Sequence, residues 1–359
     1  MPHESPPMTQ PAPDVAAVRD AHRFDEAALQ RYLEAQVEGF RGPLRVWQFQ
    51  GGQSNPTYLL EDAARRYVLR RKPPGQLLPS AHQVDREYRV LTALAGTGVP
   101  VPRTYCLCED DAVIGTAFFV MEHVEGRIFR EPLLPERLEP AQVRALFASS
   151  AQVLARLHGV RPAAVGLAEF GRPGNYCERQ IGRWSKIYRA SETQPIEPME
   201  RLMEWLPRTI PPGDETTIVH GDYRLGNMIV HPSEPRIVAV LDWELSTLGH
   251  PLADLGYTCL PWHMPAERLQ GYGGLELAPR GYPSEAQYLA DYCRHAGRAD
   301  IPHWPFYLAF AMFRLAAISQ GIAGRVRDGT AAGADAAERG ARAPLLAECG
   351  WALLRQLTD

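Results

Sequence analysis

The sequence predicts an α+β fold with two lobes: a β-rich N-terminal lobe and a larger, mostly helical C-terminal lobe. With 359 residues, the chain exceeds the usual size of a single hydrophobic core. Short apolar runs bounded by turn residues dominate residues 42–124, and long runs with helical spacing follow Gly126. These observations place an N-terminal lobe over residues 23–124 and a C-terminal lobe over residues 125–359.

Bulk properties narrow the class of protein. The first 22 residues are polar and rich in proline and lack the apolar stretch of a secretory signal, so a disordered tail is expected over residues 1–22. The formal net charge of −4 favours neither nucleic acid nor a membrane surface as a partner. No uncharged apolar run reaches about 18 residues, so no transmembrane helix is predicted. Six cysteines without paired spacing fit a reducing cytoplasm.

The N-terminal lobe reads as strands with one inserted helix. A helix is predicted over residues 24–41, with Asp25 as its cap. The stretches VWQFQ, PTYLLED and RRYVLRRK then read as strands, VDREYRVLTAL as a helix, and GVPVPRTYCLCED and GTAFFVMEHVEG as two further strands. The lobe is therefore expected to contain a small sheet.

Polar residues cluster in the stretch HGDYRLGN, positions 220–227. Apolar residues lead into it and into a second stretch, LDWE at 241–244, so a hairpin should bring Asn227 and Asp242 together beside Asp222. A carboxylate can orient a hydroxyl group and take its proton, and Mg²⁺ needs only one or two protein oxygens. Two oxygen ligands beside a carboxylate base are what phosphoryl transfer requires.

The spacing from Asp222 to Asn227 is that of the kinase catalytic loop, His-Arg-Asp-x-x-x-x-Asn. With His-Gly-Asp in the loop and Leu-Asp-Trp-Glu in place of Asp-Phe-Gly, the chain resembles the aminoglycoside phosphotransferase and choline kinase family along most of its length. The resemblance implies a protein-kinase-like fold, Asp222 as catalytic base, Asn227 and Asp242 as Mg²⁺ ligands, and His220 as a support for the loop. Asp254, in GHPLADLGY, matches a family aspartate that anchors the catalytic region; a helix cap is the alternative.

An ATP kinase also needs a loop over the phosphates. The stretch GGQSN lies between two predicted strands, and its small residues let backbone N–H groups approach an anion. A plain hairpin turn is the alternative. The predicted phosphate contacts are Gly52, Gln53, Ser54 and Asn55.

A cation on the phosphates and a glutamate that holds it complete the nucleotide site. Arg70 and Lys72 share one strand face by alternation, and either could be the cation. Against the Val-Ala-Ile-Lys pattern of protein kinases, Arg70 takes the lysine position, and Glu87 lies on the following helix where the partner glutamate is expected. By the resemblance, the backbone from Glu122 to Val124 holds the adenine.

The acceptor is predicted to be a small-molecule hydroxyl, because the short segment between Asp242 and Asp254 leaves no room for a long activation loop. Several stretches look most like kinase domains attached to, or encoded beside, acyl-CoA dehydrogenases, which implies a hydroxyacyl-CoA acceptor. The segment 169–190 suits an anionic substrate, although a solvated helix face explains its composition equally well. Its basic residues are Arg172, Arg179, Arg183, Lys186 and Arg189.

The sequence is also compatible with other functions. The acceptor could instead be an aminoglycoside or a choline-like alcohol. Since Arg70 replaces a lysine and the glycine loop is short, the chain could also be a nucleotide-binding pseudokinase. A metal-dependent phosphoesterase could use the same aspartates and asparagine, but the multiple histidine ligands usual for such sites are missing from the motif.

Overall fold

In the computed structural model, the chain divides into two compact units. The structure describes residues 14–50, 55–73, 83–331, 333 and 335–355. The first unit comprises the chain up to Thr92 together with Pro102–Val124, and the second comprises Ala93–Val101 together with all residues from Glu125. The first unit ends at Val124, where the sequence placed the lobe boundary. The segment Ala93–Val101, which the sequence placed in the N-terminal lobe, belongs to the second unit.

The first unit is built on an antiparallel sheet. Its strands are β1 (Val15–Ala16), β2 (Arg45–Phe49), β3 (Thr57–Glu61), β4 (Arg66–Arg71), β5 (Thr104–Cys108) and β6 (Phe118–Glu122), and its helices are α1 (Glu26–Gln36), α2 (Val84–Leu94) and α3 (Asp111–Ile114). Within the described residues the strand order is β1-β2-β3-β4-β6-β5. Alternate residues such as Tyr58 and Leu60 of β3 are buried with Leu29 and Leu33 of α1, since strand side chains alternate between faces.

The expectation of a disordered tail over residues 1–22 is wrong for residues 14–22, and the residues before these lie outside the described part of the chain. Val15 is only 8% exposed and pairs with Phe49 of β2. The Oε1 atom of Gln48 accepts a backbone N–H of this segment at 3.0 Å. Composition did not reveal this strand because one buried apolar residue and edge hydrogen bonds are enough to hold it.

Helix α1 is shorter than predicted. The side chain of Asp25 caps it as expected, because its Oδ1 atom accepts the N–H of Ala28 at 2.9 Å. The helix ends at Gln36 rather than at residue 41. Gly39 has a φ of +82°, a left-handed conformation that cannot continue a right-handed helix.

The second unit is mostly helical. Its helices are α4 (Pro140–Gly159), α5 (Tyr176–Ser191), α6 (Glu197–Arg208), α7 (Pro251–His263), α8 (Ala266–Leu269), α9 (Glu285–Ala296), α10 (Trp304–Arg327), α11 (Ala336–Ala341) and α12 (Ala343–Arg355), and its strands are β7 (Thr217–Val219), β8 (Met228–Val230), β9 (Ile237–Val240) and β10 (Thr247–Gly249). Strand β7 pairs with β10 and β8 pairs with β9, both antiparallel. These two short ladders carry the polar stretches that the sequence singled out.

The segment Ala93–Val101 is attached to the rest of the second unit by hydrogen bonds to its backbone carbonyls. The carbonyl of Pro100 accepts the N–H of Val240 in β9 at 2.9 Å. The carbonyl of Gly98 accepts a hydrogen bond from Arg156 of α4 at 3.3 Å. Sequence order alone assigned this segment to the wrong unit because it interrupts the first unit between α2 and β5.

Helix α10 forms the centre of the second unit. An 18-residue window of it has a mean hydropathy of 1.4, so by length and composition it could cross a membrane. However, 78% of that window is buried inside the protein, as is common for a core helix. Its buried residues include Phe310, Phe313 and the guanidinium-bearing Arg314.

The start of α7 depends on a buried histidine. The Nδ1 atom of His250 accepts the N–H of Leu252 at 3.2 Å, and its ring stacks on Tyr307 with the ring centroids 5.0 Å apart. Because Nδ1 is an acceptor, the proton lies on Nε2, which is 3.3 Å from the Tyr307 hydroxyl. Burial lowers the pKa of His250 from 6.5 to about 4.

We expect acid to destabilise the protein through His250. The unfolded chain takes up a proton near pH 6.5, whereas the folded chain does so only near pH 4, so the unfolding free energy falls as the pH drops through this window. Between about pH 7 and about pH 4.5 the loss is about 2 kcal/mol. The variant His250→Asn keeps a capping acceptor but cannot titrate. Its free energy of unfolding, measured with urea at both pH values, should therefore fall less than that of the wild type by this amount. An equal loss in both proteins would contradict the assignment.

Candidate active site

The stretch HGDYRLGN connects β7 to β8. Gly221 has a φ of +85°, and a Cβ atom at this position would come within 2.8 Å of the carbonyl oxygen of Leu245. Glycine is therefore required, both for the backbone conformation and for the close approach of the two segments. The turn that it permits leaves the side chain of Asp222 20% exposed.

His220 is fully buried and fixes the loop from within. Its Nδ1 atom accepts the N–H of Asp222 at 3.1 Å, so the ring proton lies on Nε2, which donates to the carbonyl of Leu241 at 2.9 Å. The ring also packs against Trp243, with centroids 4.7 Å apart. His220 thus joins the loop to the LDWE segment, which is the supporting role that the resemblance implies.

The Asp222 carboxylate is oriented by neighbouring donors. The Tyr257 hydroxyl donates to Oδ1 at 2.6 Å, and the Asn227 amide donates to Oδ2 at 2.8 Å. Arg224, an exposed residue that sequence reasoning left without a role, also lies against Oδ2, with its Nε atom 3.3 Å away. Each carboxylate oxygen has two lone pairs, so the oriented Oδ1 retains capacity for a further hydroxyl donor.

The predicted hairpin brings the Asn227 and Asp242 segments together. Strands β8 and β9 pair so that Met228 lies opposite Val240, and the carbonyl of Asn227 accepts the N–H of Leu241 at 2.8 Å. Asp242 follows at once, with a φ of +65° that turns the chain out of the strand. The amide nitrogen of Asn227 donates to both the backbone and the side chain of Asp222, so its oxygen faces away from Asp222.

Asp254 anchors the loop through its backbone. Its buried carboxylate accepts the N–H of His220 at 2.7 Å and the N–H of Gly221 at 2.9 Å. His158 lies 3.3 Å from the same group. Burial alone would raise the pKa of Asp254, but hydrogen bonds and the nearby histidines hold it below its ordinary value. The helix-cap alternative fails, because the cap of α7 is His250.

Two residues of this site escaped sequence reasoning. Tyr257 lies three positions after Asp254 on α7, so helical spacing could have placed it on the same side. Arg314 belongs to α10; its guanidinium donates to the carbonyl of Gly221 at 2.8 Å and lies 5.4 Å from the Tyr257 ring centroid. No local motif marks Arg314. Burial beside Asp222 raises the pKa of Tyr257, so this hydroxyl keeps its proton and acts as a donor.

The first unit contains the predicted cation and glutamate as a buried pair. Arg70, in β4, donates to Glu87, in α2, at 2.8 Å, and the side chains are only 10% and 1% exposed. Lys72 lies one residue beyond the end of β4 and is partly exposed. Of the two candidate cations, Arg70 is therefore the one that pairs with the glutamate.

The structure describes only some of the other predicted nucleotide contacts. Gly52, Gln53 and Ser54 lie outside the described residues, whereas Asn55 is described and buried. The N–H of Glu122 donates to the carbonyl of Arg103 at 2.8 Å. This N–H is used within the first unit, which leaves the carbonyl of Glu122 and the backbone of Val124 as the candidate adenine contacts.

The chain is similar to known proteins along most of its length. Residues 45–310 match the model of the phosphotransferase enzyme family. Mouse acyl-CoA dehydrogenase family member 10 is 44% identical over 348 residues, which cover 96% of this chain and 32% of the mouse protein. The chain thus spans about a third of the length of that relative.

Solved structures show the same fold. A crystal structure from Ralstonia eutropha, described provisionally as an aminoglycoside phosphotransferase, is 50% identical with a TM-score of 0.86, covering 93% of this chain and 99% of that chain. A thermostable mutant of an aminoglycoside phosphotransferase, in ternary complex with AMP-PNP and hygromycin B, gives a TM-score of 0.58 at 15% identity and covers 91% and 98% of the two chains. At that identity the likeness shows the fold alone.

These findings confirm the α+β, protein-kinase-like fold and the resemblance that rested on the HGDYRLGN and LDWE stretches. The β-sheet unit and the helical unit are the two parts of that fold. Because the family match covers more than half of the chain, the protein belongs to the phosphotransferase enzyme family and is a kinase-type enzyme.

Proposed function

We propose that the protein transfers the terminal phosphoryl group of ATP to a hydroxyl group of a small molecule, a hydroxylated acyl-CoA, with Mg²⁺ as the metal. The observation that carries this proposal is the Asp222 carboxylate, held by Tyr257 and Asn227 and still partly exposed. A fixed carboxylate beside oxygen ligands is the arrangement that phosphoryl transfer to an alcohol uses.

In the proposed reaction, Asp222 accepts the hydrogen bond of the acceptor hydroxyl and aligns its oxygen with the phosphorus. A bond forms between that oxygen and phosphorus, the bond from phosphorus to the bridging oxygen of ADP breaks, and the hydroxyl proton passes to Asp222. Because phosphoryl transfer depends mainly on positioning and charge stabilisation, the rigid anchoring of the loop by Asp254 supports the reaction directly.

The residues present fit a magnesium ion. Asn227 uses its amide nitrogen on Asp222, and its oxygen remains the atom of that side chain suited to a hard cation. Asp242 supplies a carboxylate from the adjacent segment. When bound, Mg²⁺ would neutralise charge on the phosphates.

The buried Arg70–Glu87 pair supports a nucleotide site in the first unit. Glu87 holds the guanidinium in one orientation, and a planar guanidinium can present two N–H groups to phosphate oxygens. Arginine in the position of the usual lysine is therefore compatible with phosphate binding and does not by itself indicate a pseudokinase.

The acceptor class rests on the relatives. A relative that is 44% identical is named as a member of the acyl-CoA dehydrogenase family, and this chain covers about a third of its length. We take the acyl-CoA in that name as the proposed class of acceptor for this chain. The name of the Ralstonia eutropha structure points to aminoglycosides instead. Phosphorylation confined to aminoglycosides, in a screen of hydroxyacyl-CoA, choline and aminoglycoside acceptors, would overturn the acyl-CoA assignment.

The variant Asp222→Asn tests the proposed base. It keeps the size of the side chain but cannot accept a proton, so kcat should fall by about 10²- to 10⁴-fold while the affinity for ATP stays nearly unchanged. Asp300→Asn, the same change at an exposed position of the second unit, is the control and should retain full activity. Full activity in Asp222→Asn would show that another group is the base.

The variant Asp242→Asn tests the proposed metal ligand. The wild type should bind ADP more tightly with Mg²⁺ than without it, and the variant should lose most of that gain, because a neutral amide binds the cation less well than a carboxylate does. Calorimetric titration of ADP with and without Mg²⁺ measures the difference. If the variant keeps the whole gain, Asp242 does not hold the metal.

The variant Tyr257→Phe tests a positioning residue. Loss of a hydrogen bond to a charged carboxylate should lower kcat about tenfold and leave KM for ATP within about twofold, because the hydroxyl orients Asp222. Tyr105→Phe, in the first unit, removes a hydroxyl that contacts no reacting group and should change neither constant. A rise of about tenfold in KM for ATP, with no loss of kcat, would assign Tyr257 to nucleotide binding instead.

A further inference from the structure

A second concave site lies in the second unit, along the first half of α5 and the loop before it. Its volume is about 890 Å³. Four of its lining side chains are cationic and one is acidic: Arg172, Arg179, Arg183, Lys186 and Glu178. These cations are most of the basic residues that the sequence marked in the segment 169–190, and the fold gathers them into one pocket.

The pocket cations are not neutralised. None of the four forms an ion pair with an acidic residue in the described part of the chain, and the guanidinium of Arg179 is turned towards the loop by a hydrogen bond to the carbonyl of Arg172 at 2.5 Å. Arg189, later on the same helix, is paired with both Glu192 and Glu200. The basic residue at the C-terminal end of α5 is thus paired with acids, whereas those in the pocket are not. Solubility alone does not explain this difference.

The start of α5 also lines the pocket. Asn175, the residue before α5, has a φ of 49°, and its backbone N–H donates to the Asp214 carboxylate at 2.8 Å. This carboxylate offsets the partial positive charge of the helix N-terminus, so the positive field of the pocket comes from its side chains. A Cβ atom at Gly182, in the pocket wall, would meet no atom within 4 Å, so this wall is open to a ligand.

Packing links this helix to the Asp222 loop. The guanidinium of Arg314 lies 5.8 Å from the ring centroid of Trp184, on α5, and 5.4 Å from that of Tyr257, which donates to Asp222. The basic residues extend along α5 from Arg179 to Lys186, a length of about 10 Å. Arg314 therefore connects the helix that carries the pocket cations to the tyrosine that orients Asp222.

We infer that this pocket binds the phosphate groups at the nucleotide end of the acceptor, so that the protein recognises a coenzyme A thioester by its phosphates and not by its acyl chain alone. The inference rests on the proposed function for the identity of the acceptor. Three phosphate groups in the coenzyme A tail match several unpaired cations, and charge-assisted hydrogen bonds from arginine to phosphate are strong and specific.

The first experiment measures binding without turnover. Coenzyme A is titrated calorimetrically into the protein saturated with ADP and Mg²⁺, so that the ATP site is filled. The double variant Arg183→Ser, Lys186→Ser should bind at least about tenfold more weakly than the wild type. The matched control Arg189→Ser, Arg201→Ser loses the same charge from exposed ion pairs outside the pocket and should bind within about twofold of the wild type.

The second experiment compares a hydroxyacyl-CoA with the same hydroxyacyl group on pantetheine, which lacks the nucleotide. The wild type should have a KM at least about tenfold higher for the pantetheine thioester, and the pocket variant should raise KM only for the CoA thioester, with kcat within about twofold. Equal KM values in the wild type would overturn the pocket assignment and leave the proposed kinase function standing.

The two proposals can fail separately. Coenzyme A binding that depends on the pocket, with no phosphorylation of any acceptor, would overturn the proposed function and keep the pocket. No coenzyme A binding by the wild type, equal weakening in the control variant, or competition by inorganic pyrophosphate as effective as that by coenzyme A would each overturn the pocket assignment. The last two outcomes would mark a general attraction of anions.

Discussion

The Asp254 carboxylate and the two backbone N–H groups that it accepts form the interaction on which the site depends. A buried carboxylate is costly unless it is fully hydrogen-bonded, and here the N–H groups of His220 and Gly221 supply the bonds at 2.7 and 2.9 Å. Both can face one carboxylate only if the chain turns at Gly221 in the left-handed conformation. The position of Asp222 follows from that turn.

The same constraint explains why distant elements converge on one loop. His220 can hold Leu241 only while its backbone is fixed, and Arg314 of α10 donates to the carbonyl of Gly221 in the same loop. Buried polar groups of this kind strengthen one another when all are satisfied and become costly when one partner is lost. The loop is thus a rigid platform, which suits chemistry that depends on positioning.

Charge is distributed differently at the two ends of the proposed acceptor site. Around Asp222 the donors are few and specific, and each has a defined carboxylate oxygen as its partner. In the pocket beside the first half of α5 there are four cations, which form no ion pair with an acid in the described part of the chain. The first arrangement fixes a reacting atom in place, whereas the second can hold a multiply charged group in more than one orientation.

Sequence reasoning succeeded where the signal is local. Alternating apolar residues predicted the strands of the first unit, and the apolar runs around HGDYRLGN and LDWE predicted the hairpin that joins Asn227 to the Asp242 segment. It failed where a single contact decides the outcome, as when Val15 adds an edge strand or Gly39 ends α1. The backbone contacts predicted at Glu122 cannot include its N–H, because this group already donates to the carbonyl of Arg103, a pairing that the sequence does not show.

By itself, the sequence determined the fold class, the family resemblance and the spacing of Asp222, Asn227 and Asp242, because apolar periodicity and short-range motifs are written in neighbouring residues. Only the tertiary structure decided that Arg70 pairs with Glu87, that Tyr257 and Arg314 belong to the site, and that four basic residues in α5 and the loop before it share one pocket. These facts depend on which side chains meet after helices pack. Packing is set by the whole core rather than by any local pattern.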